Sequence, residues 1–392
     1  MTSMRASIRF ALLLAVLALT AASAPAADAI FNPGVLHQVR IVMDPADWRA
    51  LIDNFRSNDY YAANISLDGT VVQQVGVRSR GKGSRSDTKP GVKVDFNKYV
   101  AAQTFHGLKS VQVKNLIQDA TMVRERLSMA VFEAMGVAAP AVSYAQVFVN
   151  DEYWGVFNLV ESVEEPFLQA RFGQSNGQLF KYEYQDAWDF SSKGTDPNAY
   201  VPIPLKPETN KDNPTTAALV DFVQKANNAA DSSFVGDISA YVDPRQILTY
   251  VAVENAIVEN DGFVGYAGMN NFFVYQLAGG TKFTFIPWDQ NTTFVSADWP
   301  LFQRTDTNVL IRRLLADPTL KQFYVDAIKK AVASFVNTSW LGPQLDADYN
   351  LIRNAALTDP KKPFSNDEFE SSINGLRGVI AGRAPDVQAQ AP

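Results

Sequence analysis

Not one of the 392 residues is a cysteine, so neither a disulfide nor a thiolate can hold this fold together. Packing must do so, and the chain has the means: 47% of its residues are hydrophobic, enough at this length for one large domain or two lobes. Histidine is nearly absent as well. With only His37 and His106, a histidine-rich zinc site or a Ser/His/Asp triad lacks its imidazoles. Any catalysis therefore falls to carboxylates. A net charge of −6, without a basic run, argues against a nucleic-acid partner.

Residues 1–29 read as a cleavable export signal. Arg5 and Arg9 precede the apolar run 10–19, and small residues follow at Ala24/Ala26 and Ala27/Ala29, predicting a mature N-terminus near Ala27 or Ile30. The run is much shorter than the ~20 residues a membrane span needs. No later segment is long and apolar enough to span, so the expected product is secreted, periplasmic or held at the cell surface.

Hydropathy patterning gives the order of elements. Residues 36–43 predict a strand, and Asp44-Pro45 opens a short helix. Residues 63–68 and 71–78 alternate about Asp68-Gly69, a hairpin signal. A glycine-bearing turn at 81–86 leads to a strand at 91–96, and Asp119 is placed to cap a helix that stops at Gly136. Strands at 144–149 and 153–160 follow. The proline-rich stretch 185–215 predicts a surface insertion. Beyond it lie a helix from Asp243-Pro244, a hairpin over 272–287, and helical stretches at 308–335 and 366–383, with a frayed tail from Ala384.

Three features carry chemistry. Asn271 begins the first strand of the 272–287 hairpin, Asp289 lies just past its return, and the loop bearing Asp261 feeds the same end. Topology thus brings two carboxylates and an amide together. Such hard oxygens suit Mg²⁺ or Mn²⁺, and a carboxylate without its own metal can act as base toward a hydroxyl; a plain turn and a helix cap explain the same residues without chemistry. The helix after Asp119 carries two apolar stripes, so it is packed on both sides and Glu125 needs a buried cation, for which Lys93 is the candidate; a surface pairing with Arg126 or Arg171 is the alternative. Arg78, Arg80, Lys82 and Arg85 crowd the glycine turn, and a basic cluster in an acidic chain suits an anionic ligand, or a solvated turn.

In sequence order these parts are a glycine turn, a lysine strand, a glutamate helix, an Asp loop with Asn, and a post-strand Asp. That is the order of a protein kinase, though His-Arg-Asp and Asp-Phe-Gly are missing. The chain resembles the spore coat protein H (CotH) family of atypical kinases. The resemblance rests on Arg78-Ser79-Arg80-Gly81, Lys89, Lys93-Val94-Asp95-Phe96, Asn115 through Asp119, Arg124-Glu125, the stretch 149–157 leading to Glu161, Leu179-Phe180-Lys181, Asn260-Asp261, Asn270-Asn271 and Phe285-Ile286-Pro287-Trp288-Asp289. It covers roughly 75–310.

The resemblance implies an α+β, two-lobed kinase-like fold: an antiparallel-sheet N-lobe over 30–160, which positions the nucleotide, a mainly helical C-lobe over 161–384, and a flexible tail over 385–392. It implies transfer of the ATP γ-phosphate to Ser or Thr of a protein substrate, with Mg²⁺ or Mn²⁺. Asp261 would be the base, Asn271 (or Asn270) and Asp289 the metal ligands, and Lys93 with Glu125 the phosphate-positioning pair. Arg78, Arg80 and Glu161 would complete the nucleotide site. Where the family often has Trp-Asp-x-Asp this chain has Asn291, and Lys89 and Lys181 compete with Lys93 for the lysine role. A non-catalytic exported coat or surface protein built on the same fold, and a secreted metal-dependent hydrolase, are the competing expectations.

Overall fold

The computed structural model describes residues 27–391; the signal expected over 1–29 lies almost wholly outside them. After a single helical turn, α1 (Ala27–Ile30), seven strands close into a barrel: β1 (Leu36–Met43), β2 (Tyr61–Leu67), β3 (Thr70–Ser79), β4 (Val92–Asp95), β5 (Ser110–Lys114), β6 (Val142–Val149) and β7 (Glu152–Glu161). Their order is β1-β2-β3-β4-β5-β7-β6, and β6 pairs with β1 in parallel to close it. The predicted antiparallel N-terminal sheet is therefore a barrel with one parallel seam and no free edge. Each strand alternates, so Val39, Ile41, Ile65, Val94, Val113 and Leu159 fill the interior. The β2–β3 turn has Asp68 and Gly69 at φ of 50° and 86°, the left-handed pair that a two-residue hairpin turn requires.

The remaining elements form a second apolar core. A four-stranded sheet of order β11-β10-β8-β9 comprises β8 (Gln178–Tyr182), β9 (Leu205–Pro207), β10 (Phe272–Gln276) and β11 (Phe283–Pro287). Around it pack helices α3 (Arg124–Ala134), α4 (Glu165–Phe172), α5 (Ala217–Asn228), α6 (Phe234–Ile238), α7 (Pro244–Ala256), α8 (Val309–Leu314), α9 (Pro318–Ser334), α10 (Leu341–Leu357) and α11 (Asn366–Gln390). Among the described helices, α2 (Pro45–Asp53), through Leu51, and the short α1, through Ile30, belong with the barrel. Helices α2, α7 and α9 all begin at an Asp-Pro pair, at Asp44, Asp243 and Asp317, whose carboxylates accept the first free amides. Asp119 reaches the Arg124 amide and so helps start α3.

Two expectations fail here. The stretch 185–215 is not a surface insertion: Trp188, Phe190, Tyr200 and Leu205 lie in the second core and β9 adds to the sheet. Its prolines hid aromatic anchors. Nor is the chain frayed from Ala384, because α11 runs through Pro385 to Gln390 with Val387 buried. Arg383, also fully buried, donates to the carbonyls of Asn255, Ala256, Ala297 and Trp299. A cation that satisfies the carbonyls ending α7 anchors the last helix.

The two cores are stitched by Lys89. Its ammonium bonds Asp359 Oδ2 at 2.7 Å and the Val156 carbonyl at 2.9 Å, and both charged side chains are essentially inaccessible. Asp359 also accepts from the amides of Val156, Lys361 and Lys362. Gly155 is required beside it: at φ 106° a Cβ would fall 2.1 Å from Asp359 Oδ1. Lys89 is thus spent on architecture. Asp359→Ala strands a buried cation and is expected to lower stability by about 3–5 kcal/mol, read as a fall in Tm or in the urea midpoint.

Candidate active site

Along β5, Val111 and Val113 point into the barrel, so Lys114 at the strand's end points out of it, toward the second core. There α3 presents Glu125 from its first turn, buried as the two-striped helix predicts. Lys114 Nζ bonds Glu125 Oε1 and, at 2.7 Å, Asp289 Oδ1. The Trp288 ring lies against both nearby cations, 4.8 Å from Lys114 Nζ and 6.0 Å from Arg80 Cζ.

This corrects the predicted lysine. Lys93 faces Asp95 at 3.7 Å on the barrel's outer wall, next to Arg78 across the β3–β4 register. Its strand was found, but Val92 and Val94 take the inward positions, which turns Lys93 away from Glu125. Arg78 binds Tyr60, Asn58 and the Ser79 carbonyl. Arg80, two residues on, is the arginine whose field reaches Asp289 and Glu125. Glu161 accepts from the Ala141 amide and pairs with Arg171 at 3.5 Å at the entry to β6. Lys181 pairs with Glu183 at 3.0 Å but adds its field at Asp289. Of the alternative partners for Glu125, Arg126 binds Asp348 and Arg171 binds Glu133. The glycine turn is tied down by Arg85, which donates to the Gly81, Phe55 and Ser57 carbonyls.

Asp261, bound by Asn271, and Asp289 lie at the same end of the β10–β11 hairpin. Residue pairing runs from Phe272↔Pro287, and the Trp288 amide continues it by donating to the Asn271 carbonyl at 3.0 Å. Asn270 Nδ2 donates to Asp261 Oδ1 and Asn271 Nδ2 to Asp261 Oδ2, both at 3.0 Å. Asn271 and Asp289 sit at φ of 56° and 54°, and Val258 at 57°. A left-handed β-branched residue costs ~1–3 kcal/mol, and such strain collects at functional sites.

The electrostatics separate the two aspartates. Burial alone would raise Asp289, but Lys114, Arg80 and Lys181 outweigh it and hold the carboxyl at about 2. Asp261 goes the other way: burial raises it and Asp289 adds to the rise, against the two Asn hydrogen bonds. One stays an anion and the other is drawn toward holding a proton.

The donors fit a divalent ion carried in with phosphate. Because Asn271 gives its Nδ2 to Asp261, its Oδ1 is left as a neutral oxygen at the hairpin end that also carries Asp289. Among the described residues no three His, Cys, Asp or Glu groups cluster as an all-protein cage. Mg²⁺ needs none, since it takes one or two carboxylates together with substrate phosphates and water.

Beneath the loop lie two carboxyls that were not predicted. Burial lifts Glu254 and Glu259 each to about 8, and Asp348, beside Arg126 and Tyr144, to about 6. In each case the folded chain keeps a proton that the unfolded chain has already released. Stability should therefore fall as pH rises from about 5 to about 8 and level off above, by on the order of a few kcal/mol. Glu254→Gln should flatten part of that slope in urea titrations.

A family model described as CotH kinase protein matches residues 77–385. Inner spore coat protein H of Bacillus subtilis is 24% identical over 366 residues, which is 90% of this chain and 97% of that protein. Invasin CotH7 of Rhizopus delemar is 26% identical over 260 residues, 62% of this chain but only 42% of the longer invasin. A crystal structure of the Helicobacter pylori proinflammatory kinase CtkA aligns at 10% identity and a TM-score of 0.32, covering 77% of this chain and 92% of that one, too distant a likeness to argue from.

Proposed function

Because this chain belongs to the CotH kinase family, we propose that it transfers the γ-phosphate of ATP to a Ser or Thr hydroxyl of a protein. The observation that carries this reading is the Lys114–Glu125 pair closing on Asp289, next to an Asp261 carboxylate held by two asparagines. Lys114 replaces Lys93 in the role, and of the two expected arginines Arg80 keeps its place beside Asp289 and Glu125. The barrel and the helical core are then the two lobes, with the site between them.

In this reading Lys114 and Arg80 supply positive charge to the phosphates, and Glu125 fixes the direction of Lys114. Asp289 and the Asn271 amide oxygen would hold a Mg²⁺ or Mn²⁺, which when bound neutralises charge on the β- and γ-phosphates. Asp261 orients the acceptor hydroxyl and takes its proton as the new O–P bond forms; the bond from the γ-phosphorus to the bridging oxygen breaks, and ADP leaves with that oxygen. The raised affinity of Asp261 for a proton suits it to that task. The test is incubation with labelled ATP and Mn²⁺ or Mg²⁺. Incorporation into protein supports kinase activity, release of free phosphate alone supports the hydrolase, and a nucleotide-induced rise in Tm without either supports the non-catalytic binder.

Relatives named for spore coats and for invasins are consistent with a coat or surface location. We propose export by the N-terminal signal, with cleavage that leaves Ala27. Ile30 is packed in the barrel core and its carbonyl accepts from Ser143 at 2.6 Å. Cleavage before Ile30 would press an ammonium against apolar side chains. N-terminal sequencing of the exported protein should read Ala27; a chain starting at Ile30 would refute this.

A further inference from the structure

We propose that Glu259 is a positioning residue for Asp261, clipping the loop that carries the base to the segment that follows Asp289. This rests on the phosphoryl-transfer reading above and names a part that the reading does not require.

The geometry is that of a clip between two loops. Glu259 Oε1 accepts the Asp261 amide at 2.7 Å and, on the same oxygen, the hydroxyl of Thr292. Thr292 stands three residues past Asp289, and its neighbour Thr293 bonds Ser128 of α3 at 2.8 Å, one turn beyond Glu125. One carboxyl thus ties the base to the segment that fixes Asp289 and, through it, to the helix holding Lys114's partner. Glu254 supports the same loop one step further on, accepting the Phe263 amide at 2.8 Å and the Val264 amide at 3.3 Å. Gly262 sits between them without room for a side chain: a Cβ there would lie 2.4 Å from Glu254 Oε1 and 2.8 Å from Glu259 Cγ. The loop's base is fixed too, since Arg383 holds the Asn255 and Ala256 carbonyls at the end of α7.

Glu259 is buried, and Oε1 carries the hydrogen bonds that join the two loops while Oε2 has none. Being buried, it cannot reach an acceptor hydroxyl, so it acts through Asp261 and is not itself a base. Near Asp261, small displacements are expensive, because an error of about 1 Å in a reacting group costs roughly 10²-fold in rate.

The test is labelled-ATP transfer with Mn²⁺, using dephosphorylated casein and the chain itself as acceptors. Glu259→Ala should lower kcat by about 10–100-fold, while KM for ATP and the nucleotide-induced rise in Tm stay within about twofold of wild type, since Lys114 and Asp289 are untouched. Glu259→Gln keeps the accepting oxygen and should restore kcat to within about threefold. Thr292→Val removes the clip from its other side and should lower kcat in the same way, which covers the case in which Glu259→Ala fails to fold. Full kcat in folded Glu259→Ala, or in Thr292→Val if that variant alone folds, overturns the proposal. So does a Gln variant as impaired as Ala. Wild-type protein that transfers nothing removes the kinase reading itself; wild-type transfer with indifferent variants removes only this inference.

Discussion

Asp261→Asn is expected to cut phosphate incorporation by about 10²–10⁴-fold, the usual contribution of a positioned base, while leaving nucleotide affinity and Tm close to wild type. The amide is the same size, and its oxygen can still accept from Asn270 or Asn271, so the loop is kept. What disappears is the group that takes the hydroxyl proton. Asp289→Asn should look different: transfer falls as far, but the metal-dependent part of nucleotide binding falls with it. The two variants together separate base from ligand, and a loss of ATP affinity in Asp261→Asn with none in Asp289→Asn would reverse the assignments.

Lys114→Met should abolish detectable transfer and also destabilise the fold by about 3–5 kcal/mol, because it leaves Glu125 buried without its cation. Lys93→Met should do neither, since Lys93 faces Asp95 at 3.7 Å on the barrel's outer wall and lends its field to Glu164, away from Glu125. The double change Lys114→Met with Glu125→Met removes both charges and should recover most of the stability and none of the transfer. That divergence tells a phosphate-positioning lysine from a structural one. Urea midpoints and labelled-ATP assays on the three variants measure it.

What could be read in the sequence was what short-range chemistry specifies. Asp68-Gly69 set the β2–β3 turn, the Asp-Pro pairs at Asp44 and Asp243 began two helices, and the hairpin ends brought Asn271 and Asp289 together because antiparallel pairing leaves little freedom. What stayed hidden depends on partners distant in sequence. Lys114 ends a five-residue strand that alternates as Ser-Val-Gln-Val-Lys, immediately before the Asn115 motif, yet nothing local says that its outward face meets α3. The parallel β1–β6 seam joins segments about a hundred residues apart. Polar composition around Trp188 and Tyr200 concealed two core anchors, and Pro385 imitated a helix end although Val387 continues the buried face of α11. Glu259 stood in plain view beside Asp261, but the burial that gives it a role comes only with folding.

Phosphoryl transfer at this site requires that these side chains share one nucleotide and one ion. Crystals grown with Mn²⁺ and a non-hydrolysable ATP analogue, measured for anomalous scattering at a wavelength where manganese dominates, test that directly. The prediction is a manganese peak bounded by Asp289 and the Asn271 amide oxygen, with Lys114 on phosphate oxygens and Asp261 facing the γ-phosphate. A peak elsewhere, or phosphates lying against Lys93 on the barrel's outer wall while Lys114 stays bound to Asp289, would contradict it.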